Sequence, residues 1–158
     1  MQSPDSIAAV AEFHATFQHP ILTHPQIPAS ERAALRVSLL KEELTEFEEA
    51  IQANDIVEAA DALCDLQYVL IGAVLEFGLT DSFKELFDEV QRSNMSKACN
   101  SEQEAIDTVA HYEAKGTPCY YQKDGEKYLV FRTKDNKTLK NVYYSPADLK
   151  KIIDKYAR

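Results

Sequence analysis

Asp61 and Asp65 stand four residues apart in the run Ile56 to Leu75, the most apolar stretch of the chain. On a helix turning roughly 100° per residue, Glu58, Asp61 and Asp65 fall within about 60° of one another, on a face whose other positions are largely hydrophobic. A buried stripe of like charges costs several kcal/mol unless cations neutralise it. Just upstream, Lys41-Glu42-Glu43-Leu44-Thr45-Glu46-Phe47-Glu48-Glu49 carries a second acidic stripe. Side chains three or four residues apart share a helix face, so Glu43 with Glu46, and Asp61 with Asp65, can point into one gap between two antiparallel helices. A site made of carboxylate oxygens suits a hard divalent cation, above all Mg²⁺, which is held by carboxylates plus the phosphates of a substrate. The candidate ligands are Glu42, Glu43, Glu46, Glu58, Asp61 and Asp65, with Mn²⁺ as a possible substitute ion.

The elements that must carry these groups follow from caps and periodicity. Ser3-Pro4-Asp5-Ser6 reads as an N-cap followed by proline in the first turn, opening a helix through Val10, Phe13 and Phe17. Residues 19–28 hold three prolines and no hydrophobic period, which predicts an ordered loop or wrapping arm. Ser30 is expected to cap the first long helix, whose core stripe is Leu40, Leu44, Phe47 and Ile51, with Glu42, Glu46 and Glu49 on another face. Asp55-x-x-Glu58 fits an acidic capping box for the apolar helix, which ends at Gly78 in a C′ position. Thr80 is expected to cap a third long helix, and Ser101-x-x-Glu104 a fourth that closes at Gly116-Thr117-Pro118. Beyond Pro118, runs at residues 120–121, 128–131 and 142–144 predict a small antiparallel β-meander, and Ser145-Pro146-Ala147-Asp148 caps a terminal helix with Leu149, Ile152 and Ile153 inside. The expected architecture is mainly α: a helical bundle over 1–118 and a meander-plus-helix appendage over 119–158.

The chain has 158 residues, 45% hydrophobic and 27% charged, enough to bury one good core. Its net charge of −9 is uneven: residues 1–118 hold 7 basic and 21 acidic side chains, residues 119–158 hold 10 and 5. The acidic part argues against a nucleic acid polymer as partner, while metal-neutralised polyphosphates remain suitable ligands. Cys64, Cys99 and Cys119 fit no disulfide framework, and Cys64 reads as a small core residue. With no secretory start and no bilayer-length apolar run, a cytoplasmic protein is expected.

Glu42-Glu43-Leu44-Thr45-Glu46, followed on the next helix by a second acidic motif, resembles the Glu-Glu-x-x-Glu and Glu-x-x-Asp marks of the all-α nucleoside triphosphate pyrophosphohydrolases. That superfamily includes MazG-like proteins, dimeric dUTPases and phosphoribosyl-ATP pyrophosphohydrolases. The second motif is either Glu58-Ala59-Ala60-Asp61 or a less regular version ending at Asp65. The resemblance covers roughly residues 30–100. It implies a MazG-like helical fold, Mg²⁺-dependent hydrolysis of a nucleoside triphosphate to the monophosphate and pyrophosphate, and a homodimer or homotetramer. Glu43, Glu46 and Asp65 would be catalytic, and Asn94 and Lys97, with Arg92 as a third contact, would meet phosphate or sugar. Deoxy or non-canonical nucleotides are the expected substrates of such a house-cleaning enzyme, with phosphoribosyl-ATP as an alternative.

Blander readings stand beside these. Glu42, Glu46, Glu48 and Glu49 also fit a solvated helix face, and Glu58 fits a residue capping its own helix. The acids would equally suit a non-catalytic metal-binding oligomerisation module. A di-iron carboxylate bundle is disfavoured, because no histidine occurs between Val37 and Ser101. The recurrence of His14, His19 and His24 does not make a zinc site, since the latter two lie in a proline-rich loop without cysteine partners.

Overall fold

A computed structural model describes residues 4–157. Six helices and one hairpin follow in the order α1 (Ser6–Thr16), α2 (Ser30–Ala53), α3 (Ile56–Glu76), α4 (Phe83–Met95), α5 (Glu102–Glu113), β1 (Cys119–Asp124), β2 (Lys127–Arg132) and α6 (Leu149–Tyr156). The protein is mainly α. By contacts it divides into two compact units: one runs up to Phe83 and takes in the segment from Ile152 onward, the other is Lys84–Lys151.

Most helix ends lie where local chemistry puts them. Asp5 caps α1 by accepting from the Ala8 amide; the cap expected at Ser3 lies outside the described residues. Asp55 caps α3 by accepting from the amides of Val57 and Glu58. Ser101 caps α5 through the Glu104 amide, and the Glu104 carboxylate reaches back to the Asn100 amide. Three caps differ from expectation. Ser30 is the first residue of α2 and Ala29, at the cap position, offers no side-chain bond. Helix α4 starts at Phe83, after a turn in which Ser82 donates to the Leu79 carbonyl. Asp148, not Ser145, accepts from the first turn of α6 through the Lys151 amide.

In the first unit, α2 and α3 form an antiparallel pair and α1 packs across α3. The apolar centre is Val10, Ile71, Val74 and Leu75, with Ile7, Ala11, Leu79 and Phe83 around it. Residues 17–29 wrap the C-terminal end of α3, with Leu22 and Gln26 amides donating to the carbonyls of Leu75 and Phe77. Gly78 permits this wrap: its φ is +65°, and a β-carbon there would run into the His24 carbonyl.

The faces of α2 and α3 are not those that hydrophobic periodicity suggests. Leu44 and Ile51, expected in the core, are exposed, and α3 is not apolar all round: Ile56 and Val57 are 80% and 71% exposed. Asp61, Asp65 and Cys64 are exposed as well, so the two aspartates are not buried charges and Cys64 is not a core residue. The residues buried along this pair are four small ones, Ala50 on α2 and Ala59, Ala62 and Gly72 on α3, three larger apolar ones toward the C-terminal end of α3, Ile71, Val74 and Leu75, and the charged Arg36 and Glu76. Toward the acidic end of the pair the fully buried side chains are alanines, and Leu44, Ile51, Ile56, Val57 and Leu63 are turned outward.

In the second unit α5 packs on the hairpin, around Cys99, Ala105, Cys119, Val130 and Leu139. The strands pair antiparallel from Cys119 with Arg132 to Asp124 with Lys127. The third strand expected at 142–144 does not form. Asn141 takes its place: its Oδ1 accepts from the Tyr143 amide, its carbonyl from the Tyr144 amide, and the Val142 amide donates to Thr108 Oγ1, so the donors of that run turn into a side-chain network instead of a ladder.

Candidate active site

The register of α2 against α3 is read from three pairings. Arg32 meets Glu76, Arg36 lies against Gly72, and Glu43 lies within the field of Asp65. Steps of four and seven residues along α2 match steps of four and seven back along α3, as two antiparallel helices in one fixed register require. The acidic motif of α2 is thereby brought to the acids of α3. Glu43 lies on the inner side of α2, half-buried, and its Oε2 is buried with no hydrogen-bond partner among the described residues. Burial pushes its carboxyl above the usual range, and the charges of Glu46, Asp65, Glu42 and Asp61, in that order, push it the same way. Four of the other five expected ligands thus surround Glu43.

Glu42, Glu46, Asp61 and Asp65 themselves are exposed. A cleft of about 450 Å³ lies along this side of the pair, lined by Glu46, Glu49, Asp55, Glu58 and Asp61 over Ala50, Ala53 and Ala62. Glu58 belongs to this cleft and to the first turn of α3, where its amide is held by Asp55. Glu49, expected just outside the site, lines the cleft too.

The residues fit a hard cation by two observations. The donors are all carboxylates, and one buried carboxylate oxygen, Glu43 Oε2, has no partner among the described residues. Among the described residues no three His, Cys, Asp or Glu side chains converge closely enough, as placed, to hold an ion.

The remaining expected contacts lie in the second unit. Arg92 is engaged: it donates to both oxygens of Glu89, at 2.7 and 2.8 Å, and to the Pro146 carbonyl at 3.0 Å. Glu89 also accepts from the Asp148 amide, and these bonds hold its carboxyl down at about 2. Asn94 is exposed, and Lys97 Nζ donates to its Oδ1 at 2.8 Å.

A second charged cluster escaped sequence reasoning. Glu76, 0% exposed, accepts from Arg32 and Arg36. Arg36 Nη2 lies 3.5 Å from His14 Nε2, and the other ring nitrogen of buried His14 donates to the Pro20 carbonyl at 3.0 Å. Burial holds His14 below its usual value, so it is the neutral ring that sits beside the Arg36 guanidinium. The signal was present: an acid in the last turn of an apolar helix opposes the helix dipole and calls for a cation.

No helix among the described residues is long and apolar enough to cross a membrane. The family model of phosphoribosyl-ATP pyrophosphohydrolase matches residues 10–94, from within α1 to the last turn of α4, and takes in α2, α3 and every acid of the cleft. An uncharacterized protein of Acanthamoeba polyphaga mimivirus is 23% identical in a match that covers 92% of this chain and 94% of its own. That alignment runs beyond residue 94 into the segment that carries the hairpin. Members of the matched family are typically metal-dependent hydrolases of nucleotides. The chain belongs to the phosphoribosyl-ATP pyrophosphohydrolase family, within the all-α nucleoside triphosphate pyrophosphohydrolase superfamily, and is a pyrophosphohydrolase that acts on phosphoric anhydrides.

Proposed function

We propose that the chain hydrolyses a nucleoside triphosphate, a deoxy or non-canonical one, to the monophosphate and pyrophosphate, with Mg²⁺ or Mn²⁺ held by Glu43, Glu46, Asp61 and Asp65. The observation that carries this reading is the buried, unpartnered Oε2 of Glu43 with four carboxylates around it. Glu42 and Glu58 flank the set. A cation bound there would polarise phosphoryl oxygens and acidify water. Glu46, exposed on the cleft wall, would orient the attacking water and accept its proton. The water oxygen bonds to phosphorus, the anhydride P–O bond between the α- and β-phosphates breaks, and pyrophosphate leaves with the electron pair. Glu43 and Asp65 would hold the ion, which would supply positive charge to the substrate's phosphates. Asn94 and Lys97 serve as polar contacts to phosphate or sugar, whereas Arg92, committed to Glu89 and Pro146, serves chiefly to hold the segment before α6.

Phosphoribosyl-ATP is a second substrate that the family match supports equally well, since the same anhydride bond is broken. Measuring pyrophosphate release with Mg²⁺ from canonical, deoxy and non-canonical nucleoside triphosphates and from phosphoribosyl-ATP separates the two. Release from phosphoribosyl-ATP alone would replace the first reading, and release from none would sink both.

Exposed Leu44, Ile51, Ile56, Val57 and Leu63 are more apolar surface than one helical hairpin keeps open to water. A homodimer or homotetramer covers it in this reading, and light scattering is expected to give a mass at least twice that of the 17.8 kDa chain; a monodisperse monomer would refute the assembly. Three free thiols suit a reducing cytoplasm.

A further inference from the structure

We propose that Arg32, Arg36 and Glu76, closed over Gly72, are positioning residues: a register clamp that holds Glu43 opposite Asp65 without touching substrate. The inference rests on the acidic site described above being a metal site.

Three observations carry it. First, clamp and site lie on the same ladder. Arg36 precedes Glu43 by seven residues on α2, and Gly72 follows Asp65 by seven on α3, so the two pairings stand about two turns, roughly 10 Å, apart along a rigid helix pair. A slip at one is transmitted to the other. Second, the fully buried side chains nearest the acids specify register weakly. Ala50, Ala59 and Ala62 present small, smooth surfaces, and Glu43 with its four acidic neighbours adds repulsion that favours sliding or splaying. Third, the clamp is directional. Arg32 Nε donates to Glu76 Oε2 at 2.9 Å and Arg36 Nε to Oε1 at 3.0 Å, and further bonds run from both Nη2 groups to Oε1. Gly72 supplies the notch for it, because a β-carbon there would collide with Arg36 Nη1 and come within 3.2 Å of His14 Nε2. A buried ion pair seldom adds net stability over apolar residues of the same volume; fixing one register among several is its best-attested use.

The test separates position from stability. In the full chain, Arg32→Met, Arg36→Met and Glu76→Met together remove every charge of the clamp and fill its volume with apolar atoms. The metal-free triple variant is expected to melt at or above the wild-type temperature. Its Kd for Mn²⁺, measured by titration calorimetry, is expected to rise by about 10- to 100-fold, as for other residues that orient metal ligands, and kcat to fall more than KM rises. Wild-type Mn²⁺ affinity in a folded triple variant would overturn the proposal. Should the triple variant not fold, Arg36→Lys keeps the charge and loses the fork, and unchanged Mn²⁺ affinity there overturns it equally. The wild-type titration tells the two failures apart: no Mn²⁺ binding by wild type, with Asp65→Asn identical, rejects the metal reading itself.

Discussion

Glu43→Gln is expected to lower kcat/KM for pyrophosphate release by at least about a hundredfold and, in the same protein, to raise the melting temperature measured without metal. The two effects have one cause. Glu43 places a charge in a half-buried position facing Glu46, Asp65, Glu42 and Asp61, and leaves Oε2 without a hydrogen-bond partner. Without a cation that arrangement is unfavourable, so a neutral side chain of the same shape relieves it. With a cation, the charge is what binds. The pH dependence follows with a definite sign. A carboxyl whose folded pKa lies above its ordinary 4.5 contributes stability that is fully present below 4.5 and is lost as pH rises through the folded value. Metal-free protein should therefore weaken as Glu43 ionises, Mg²⁺ should restore it, and Glu43→Gln should show neither change. Thermal melts from pH 4 to 8, with and without Mg²⁺, read all three. A variant that loses activity and also melts lower without metal would make Glu43 a structural residue.

Local chemistry was legible in the sequence, and side-chain direction was not. Asp55, Ser101 and Gly78 act within one turn of where they stand, so the ends of α3 and α5 follow from them. The spacing of Glu43 and Glu46, and of Asp61 and Asp65, likewise sets a shared face whatever else the helix does. Hydrophobic periodicity instead picks the largest apolar residues, which put Leu44 and Ile51 in the core and made α3 apolar all round. The buried residues of the α2–α3 pair include the small Ala50, Ala59, Ala62 and Gly72, and with them the charged Arg36 and Glu76. A charged residue counts as surface in such a pattern until its partner, 40 residues away, is known. The run 142–144 erred for a related reason: its aromatic, branched residues favour a strand, but Thr108, remote in sequence, and the neighbouring Asn141 take its amides.

Those buried charges set the largest loss of stability expected from one substitution. Glu76→Ala removes the carboxylate that answers Arg36, only 7% exposed, and Arg32. A buried charge stripped of its partner costs about 3–5 kcal/mol, a large share of the roughly 5–15 kcal/mol that holds a typical domain folded. Urea denaturation at neutral pH measures it; a loss below about 1 kcal/mol, the level of an exposed pair, would show that water reaches Arg36 and that the cluster is not a sealed one. The acid side of the stability profile gives a second reading. Burial alone would raise the Glu76 carboxyl, but the hydrogen bonds and charges of Arg32 and Arg36 outweigh it and hold the group below its ordinary 4.5. Its contribution is present above 4.5 and lost as pH falls through the lower folded value. His14, held below 6.5 by burial and then by Arg36 against the opposing pull of the Pro20 carbonyl, acts in the same direction from 6.5 downward. Glu43 and Glu76 thus bend the profile in opposite senses: Glu43→Gln should flatten only the limb that falls as pH rises, and Glu76→Ala only the steepest part of the limb that falls in acid. An acid limb unchanged in Glu76→Ala would mean that its carboxyl is not held by the two arginines, and the register clamp would lose its anchor.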